Sequence, residues 1–287
     1  VGLKPRSCFR SVFLKLLAVL TLSTAPVGCW YNSNISDLAP VKEQPAIERT
    51  SIAHRGNLHK GYPDNSIPAL TQTLSAGVSF AEVDVRRSSA GELFLFHDGS
   101  VQTHNSFAPP QLEKRKVQEL TQGERAQVWL NSERSIAIPN LREALDLLKQ
   151  FSGTLQLDLK GESDELLNAT LEEVRKAGAL SRVTIQLKDP GRFALIRKRE
   201  PKARIVARCL DSEQLSKAIA AKVEAVELER WITEDAVRSA HAAGVRVIIN
   251  IASSHFDEPK SWEYLRSRGV DTLMSDYADR ASLAPTK

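Results

Sequence analysis

Residues 154–187, TLQLDLKGESDELLNATLEEVRKAGALSRVTIQL, hold a complete strand–helix–strand unit. Thr154–Leu159 and Val183–Leu187 are short runs rich in Leu, Ile and Val, as strands buried on both faces should be. Between them Leu166, Leu167, Leu171 and Val174 line one face of a helix over Glu165–Ala177. Gly178 follows, where a left-handed C-cap wants glycine. Parallel strands need a crossover of this kind, so the unit predicts a parallel α/β architecture.

The same alternation extends in both directions. Further strands are expected at Ser51–His54, Phe80–Val85, Leu93–His97, Arg204–Arg208, Ala225–Leu228, Val245–Ile251 and Thr272–Met274. Helices are expected at Ile67–Ala76, Leu141–Phe151, 212–222, 233–243 and 258–267, with Gly77, Gly244 and Gly269 just past three of them. Repeated βα units over about 240 residues predict a (β/α)8 TIM-type barrel, whose usual size is ~250 residues. Nine strand candidates are one too many. Arg86–Glu92, RRSSAGE, is too short for a helical crossover, so one candidate is an extra strand or a hairpin arm. A doubly wound open sheet is the alternative, but neither G-x-G-x-x-G nor G-x-x-x-x-G-K-[ST] occurs. Residues 99–139 interrupt the alternation after the third strand with Pro109-Pro110 and the charged run EKRKVQE. Long ordered insertions of this kind are usually functional or mobile.

Composition bounds the function. Hydrophobic residues make up 42% and charged residues 26%, enough for a sizeable core. Basic residues outnumber acidic ones by 39 to 35. Lys4, Arg6, Arg10 and Lys15 account for that whole excess, and no acid lies within residues 1–28. The remainder is neutral and has no electrostatic footprint for nucleic acid. Cys8, Cys29 and Cys209 cannot form a disulfide framework. No uncharged apolar run reaches the eighteen residues a membrane span needs. Residues 1–28 instead read as a signal peptide: a basic start, the apolar run LLAVLTL, then small residues. Gly28-Cys29 resembles the end of a bacterial lipobox, with Pro26 where Leu usually stands. Ordinary secretion after Ala25 competes with that reading. Residues 29–49 form a polar tether with Pro40 and Pro45, and 50–287 form the barrel domain. The chain is therefore expected outside the cytoplasm, in a bacterial periplasm or cell envelope, with membrane attachment through a lipidated Cys29.

Polar residues that interrupt buried strands need a partner or a task. Four such points fall at the C-terminal ends of the early strands, where barrel enzymes keep their sites. They are His54-Arg55-Gly56, Glu82-Val83-Asp84, His97-Asp98 and Asp158-Leu159-Lys160. Alternation puts Glu82 and Asp84 on one side of a strand, where two like charges repel unless a cation lies between them. Hard carboxylate oxygens suit Mg2+ or Ca2+, and Asp158 is free to join that ion. Lys160, beside it, is free to meet an anion. Singly, each point has an ordinary structural reading: a hydrogen-bonded histidine, a solvated edge, an ion pair. Together, on one rim, they supply what phosphodiester cleavage needs: a metal, two imidazoles and two cations.

At these residues the chain resembles the glycerophosphodiester phosphodiesterase family. The H-R-G opening is His54-Arg55-Gly56, and the E-N-[ST] that follows reads Asp64-Asn65-Ser66. E-x-D is Glu82-Val83-Asp84 and H-D is His97-Asp98. I-P-x-L-x-E-A-L is Ile138–Leu145, and the closing G-V-D and T-D-Y are Gly269–Asp271 and Ser275–Tyr277. The resemblance covers residue 51 to about residue 280 with its motifs in order. It implies a barrel, one divalent cation and hydrolysis of small-molecule glycerophosphodiesters. His54 and His97 would be the acid/base pair, Arg55 would contact the phosphate with Lys160, and Glu82 and Asp84 would hold the metal with Asp158. The glycerol 2-hydroxyl would attack phosphorus, and water would open the cyclic phosphate that results. The sequence departs at Asp64, at Asp158-Leu159-Lys160 (D-x-K for E-x-K) and at Gln102-Thr103-His104 (for R-T-T). The D-x-K version is similar to one branch of the family and to related phospholipase D toxins. Glu227 and Glu229 also interrupt a strand, facing either the pocket or the helices and solvent. A phospholipase D-like hydrolase of lipid phosphodiesters is the alternative enzyme, with Phe107 and Trp129 as its only aromatic candidates for lipid contact. A non-catalytic envelope binding lipoprotein is the alternative outside catalysis.

Overall fold

Alternation along each strand decides which side chains enter the barrel and which face the helices. The computed structural model describes residues 50–102, 106–161, 163–228 and 232–281, so the signal segment, Cys29 and the tether lie outside the described residues. Strands β1 (Thr50–Ala53), β2 (Phe80–Arg87), β3 (Leu93–Leu95), β4 (Thr154–Leu159) and β5 (Val183–Leu187) precede β6 (Arg204–Cys209), β7 (Ala225–Leu228), β8 (Arg246–Asn250) and β9 (Thr272–Ser275). Eight of them run parallel and close on themselves: β2 continues through β4 to β9, and β1 pairs with both β2 and β9. The (β/α)8 barrel expected from the repeated units is present. The ninth strand is β3, paired antiparallel to β2 with Val85 opposite Leu95, so it is the hairpin arm.

Helices α1 (Ile67–Ser75), α2 (Gln122–Arg125), α3 (Leu141–Leu147), α4 (Asp164–Lys176), α5 (Gly191–Arg199), α6 (Ser212–Ala220), α7 (Glu234–Ala242), α8 (Pro259–Ser267) and α9 (Ala278–Ala281) complete the described chain. Gly178 takes φ +68 after α4, as the left-handed cap requires. Helix α5 escaped the periodicity reading because it is strongly basic and buries only Phe193 and Ile196. None of the helices among the described residues is long and apolar enough to cross a membrane.

Outward-facing strand residues such as Val83, Leu157, Ile185, Val226 and Ile249 pack with Leu70, Leu145, Leu167 and Leu265 of the helices in one core. Inward-facing residues form a separate apolar cluster: Ile52, Val206, Ala225, Ile248 and Met274, with Phe80 against it. Burying each large member is worth about 1.5–3 kcal/mol. Phe80 and Ala225 open their strands, so this plug fills the N-terminal half of the lumen. The next inward positions along β2, β4, β5, β6 and β7 are polar: Glu82, Asp84, Asp158, Gln186, Arg208 and Glu227.

The 99–139 insertion builds a small core against the β3 arm. Phe94, Phe96, Val101, Leu112, Val117, Leu120, Val128 and Leu130 pack together beside the barrel. Arg125 stacks over the Phe94 ring at 4.7 Å and pairs with Glu92. Its apolar residues keep neither a helical nor a strand period, so the packing could not be read from spacing.

Candidate active site

β1 stops at Ala53 because the chain turns sharply at His54–Gly56, where Arg55 takes a left-handed φ of 51. That turn aims the Arg55 N–H at Glu82, which accepts it at 2.9 Å through Oε2. Gly56 is required there, since a Cβ would lie 2.6 Å from Leu70 Cδ2 of α1. The chain then loops back. Asn65 donates to Asp84 Oδ2 at 2.6 Å and accepts the Asp84 N–H at 2.9 Å, a reciprocal lock between loop and strand. Asp64 holds the loop by accepting from Arg55 Nη1 (3.1 Å) and Asn57 Nδ2 (2.9 Å). The shorter acid at the E-N position thus ties the loop to Arg55.

Register brings the three acids together. Asp84 of β2 lies opposite Asp158 of β4, and Glu82 one position further in. All three are buried, and each offers an oxygen within 4.8 Å of the others. Burial, then the charges of Asp84 and Asp158, push the Glu82 carboxyl well above its ordinary range. Burial would raise Asp84 too, but Lys160, His97 and the Asn65 hydrogen bond outweigh it and bring it down to about 2. The Lys160 ammonium stands between Asp84 Oδ1 (2.8 Å) and Asp158 Oδ2 (2.5 Å). Despite its burial, those acids hold it above the usual range. The amine expected to be free for an anion is therefore bridging two carboxylates.

Each imidazole has a carboxylate on Nδ1. His54 meets Asp276 Oδ1 at 3.3 Å, and His97 meets Asp98 Oδ1 at 2.6 Å. With Nδ1 donating, Nε2 is the acceptor on each ring. Burial would raise Asp276, but the His54 hydrogen bond and Lys60, 3.0 Å away, hold it well below the carboxylate range. Asp257 fixes the Asp276 turn by accepting the Asp276 N–H at 2.7 Å and the Ser275 hydroxyl at 2.5 Å. Arg86 donates to the Phe96 carbonyl at 2.9 Å and the His97 carbonyl at 2.5 Å, which fixes the strand end that carries His97. Burial, together with Arg55 and Lys160, lowers the His97 pKa against the opposing pull of Asp84. Arg55 and His97 border a cleft of about 430 Å³, with Asn65 and Phe96 also in its wall.

Glu227 is fully buried inside the barrel rather than solvated. Gln186 donates to it at 2.8 Å and Arg208 approaches it at 3.2 Å, while Arg208 also lies 3.7 Å from Asp158. Glu229 and His104 lie outside the described residues.

Glu82, Asp84, Asp158, Arg55, Lys160 and His97 therefore form one interacting group, and His54 precedes Arg55 directly. Three buried oxygen donors fit a hard divalent cation, which would offset the repulsion from Asp84 and Asp158 that adds to burial in raising Glu82. Asn65 and Asp276 sit in recognised motifs but their tasks became visible only here. Lys60, Arg86, Arg208 and Asp257 carry no motif, and only the strand-breaking charges of Arg86 and Arg208 could have flagged them.

The glycerophosphoryl diester phosphodiesterase family profile matches residues 54–280. The chain belongs to this family. Membership places it among the phosphoric diester hydrolases. A glycerophosphodiester phosphodiesterase of Bacillus altitudinis is 24% identical over 240 residues, covering 80% of this chain and 95% of that protein. A glycerophosphoryl diester phosphodiesterase structure from Parabacteroides distasonis superposes with a TM-score of 0.69 at 24% identity, over 89% of this chain and 94% of the other. An Oleispira antarctica phosphodiesterase, solved with the product sn-glycerol-3-phosphate, gives 0.71 at 19% identity, over 82% and 96%. At these identities the structures establish the shared barrel. Within this family frame, the parallel strands β1, β2 and β4 bring the His54–Arg55 turn, Glu82, Asp84 and Asp158 towards one mouth, while His97 comes to Asp84 from the end of the antiparallel arm β3.

Proposed function

We propose that the chain hydrolyses glycerophosphodiesters to glycerol phosphate and an alcohol. The carrying observation is the buried acid trio, with oxygens within 4.8 Å of one another, in one charge network with His97 and the His54–Arg55 turn. Glu82, Asp84 and Asp158 would hold one Mg2+ or Ca2+. When bound, such an ion supplies Lewis-acid polarisation of the phosphoryl oxygens. Arg55 and Lys160 balance the charge that grows on those oxygens. His97, whose neutral form is favoured by burial, is suited to accept the proton of the attacking 2-hydroxyl at Nε2. His54 hands a proton to the departing alkoxide, so an alcohol leaves and a five-membered cyclic phosphate forms. Water then opens the ring as the two imidazoles exchange roles. Asp98 and Asp276 keep the rings in the orientation these transfers need. The signal-like start supports export and anchoring through Cys29.

The test is turnover of bis(p-nitrophenyl) phosphate and glycerophosphocholine by EDTA-treated protein before and after adding Mg2+ or Ca2+. Activity restored by the ion is expected. No turnover with any divalent cation would favour the non-catalytic binding reading. The lipid reading rests on the insertion, where Phe107 is exposed and backbone-bonded to Trp129. Faster cleavage of a lysophospholipid than of glycerophosphocholine in the same assay would establish it.

A further inference from the structure

The Lys60 ammonium stands between two carboxylates that serve different groups of the candidate site. It lies 3.0 Å from Asp276 Oδ1 and 3.4 Å from Asp64 Oδ1. Asp276 meets His54 Nδ1 through that same Oδ1, and Asp64 accepts from Arg55 Nη1 through Oδ2. We propose that Lys60 is a positioning residue, whose single ammonium couples the His54 imidazole to the Arg55 guanidinium through these two acids. The inference rests on the phosphodiesterase reading, which gives His54 and Arg55 their tasks, and adds to it a residue that acts through both.

The backbone carries Lys60 to that point. His59 and Lys60 take left-handed φ values of 57 and 54, which residues with side chains rarely adopt and which persist only where surrounding contacts hold them. The contacts of His59 are with the turn after β9. Its N–H donates to the Asp276 carbonyl at 2.8 Å, its Nε2 lies 2.9 Å from Asp279 Oδ2, and its ring meets Tyr277 edge-on at 5.1 Å. The loop after β1 is thus clamped to the turn after β9. Lys60 extends the clamp to the side chains, since it grips Asp276 on one side and Asp64, in its own loop, on the other. Each acid also has an anchor of its own. The Ser253 N–H donates to Asp276 Oδ2 at 3.1 Å, and Asn57 Nδ2 donates to Asp64 Oδ1 at 2.9 Å. Loss of the ammonium therefore loosens the coupling without stripping either acid. Lys60 also borders the cleft beside His97, so direct contact with substrate is the competing task. Its engagement by two carboxylates argues against that task.

The experiment measures kcat and KM for glycerophosphocholine in wild type, Lys60→Met, Lys60→Arg, Asp64→Asn, Asp276→Asn and the two double variants that pair Lys60→Met with each acid change. Lys60→Met should lower kcat roughly 5- to 10-fold, the scale of two partly exposed ion pairs, with KM little changed. Lys60→Arg should restore most of the rate. Lys60→Met should cost less in the Asp64→Asn and Asp276→Asn backgrounds than in wild type, because its partner is already altered there. Amide hydrogen exchange, which needs no turnover, should quicken in Lys60→Met over residues 54–65 and 276–279 together. Unchanged kcat, a rise in KM alone, full additivity with both acids, or unchanged exchange in either segment would overturn the coupling role. No cleavage by wild type with any divalent cation would instead remove the phosphodiesterase reading, and the exchange result would then decide the clamp by itself.

Discussion

The two halves of the barrel lumen are built from the same strands and do opposite things. Toward the strand starts, Ile52, Val206, Ala225, Ile248 and Met274 pack as a dry plug. One or two inward positions further on, the lumen holds Glu82, Asp84, Asp158, Lys160 and Arg208 in contact with one another. The plug contributes stability and no chemistry. The charged half gathers three buried acids around one ammonium, with oxygens close enough together to suit a cation. Stability and function are thus separated along each strand by a few ångströms of rise.

The sharpest way to test this division is to remove an imidazole. His54→Ala and His97→Ala should each lower kcat by roughly 10³-fold or more, the upper range for a lost proton-transfer group. Calorimetric titration with the divalent ion should show binding intact in both. Near-wild-type rates would take that histidine out of the mechanism. The matching cut in the plug is Ile248→Ala. Urea unfolding should show a loss of about 2–5 kcal/mol, while kcat of the folded protein stays unchanged. A large fall in kcat would mean that the plug and the acids are not independent.

A smaller effect is expected at the support of His54. Asp276→Asn should lower kcat roughly 10- to 100-fold, the scale found for groups that orient a functional imidazole. KM should move little, because Asp276 acts through His54. A pure rise in KM would contradict a positioning role.

The gentlest probe is pH. Metal-free protein should lose stability as pH rises above 4.5, the ordinary value for Glu82, because the raised carboxyl binds its proton more tightly folded than unfolded. Glu82→Gln should flatten that loss, and so should added Mg2+ or Ca2+. Asp84 acts in the other direction. Its stabilising contribution is present above the unfolded value of about 4 and is lost as pH falls through about 2. Thermal melts between pH 2 and pH 9, with and without the ion, would separate the two trends. A pH response indifferent to the ion would mean that the acids do not hold it.

Much of this was legible beforehand because it depends on local order. The βα alternation, the helix faces and the glycine caps depend on neighbours a few residues apart. The seven proposed site residues could be singled out because a charge in a buried strand stands out against Val, Ile and Leu. Helix α5 was missed because two buried apolar residues make too weak a stripe. The 99–139 core was missed because Phe96, Val117 and Val128 meet through turns and not through a period.

By itself, the order of residues determined the barrel class and the chemical types at its mouth, since burial periodicity and rare polar interruptions are written along the chain. Only the folded barrel decided which strand candidate was the hairpin arm, that Lys160 bridges Asp84 and Asp158, and that Asp276 serves His54 across 222 residues of sequence. Those outcomes depend on strand register and barrel closure, which set distances between segments that no local pattern encodes.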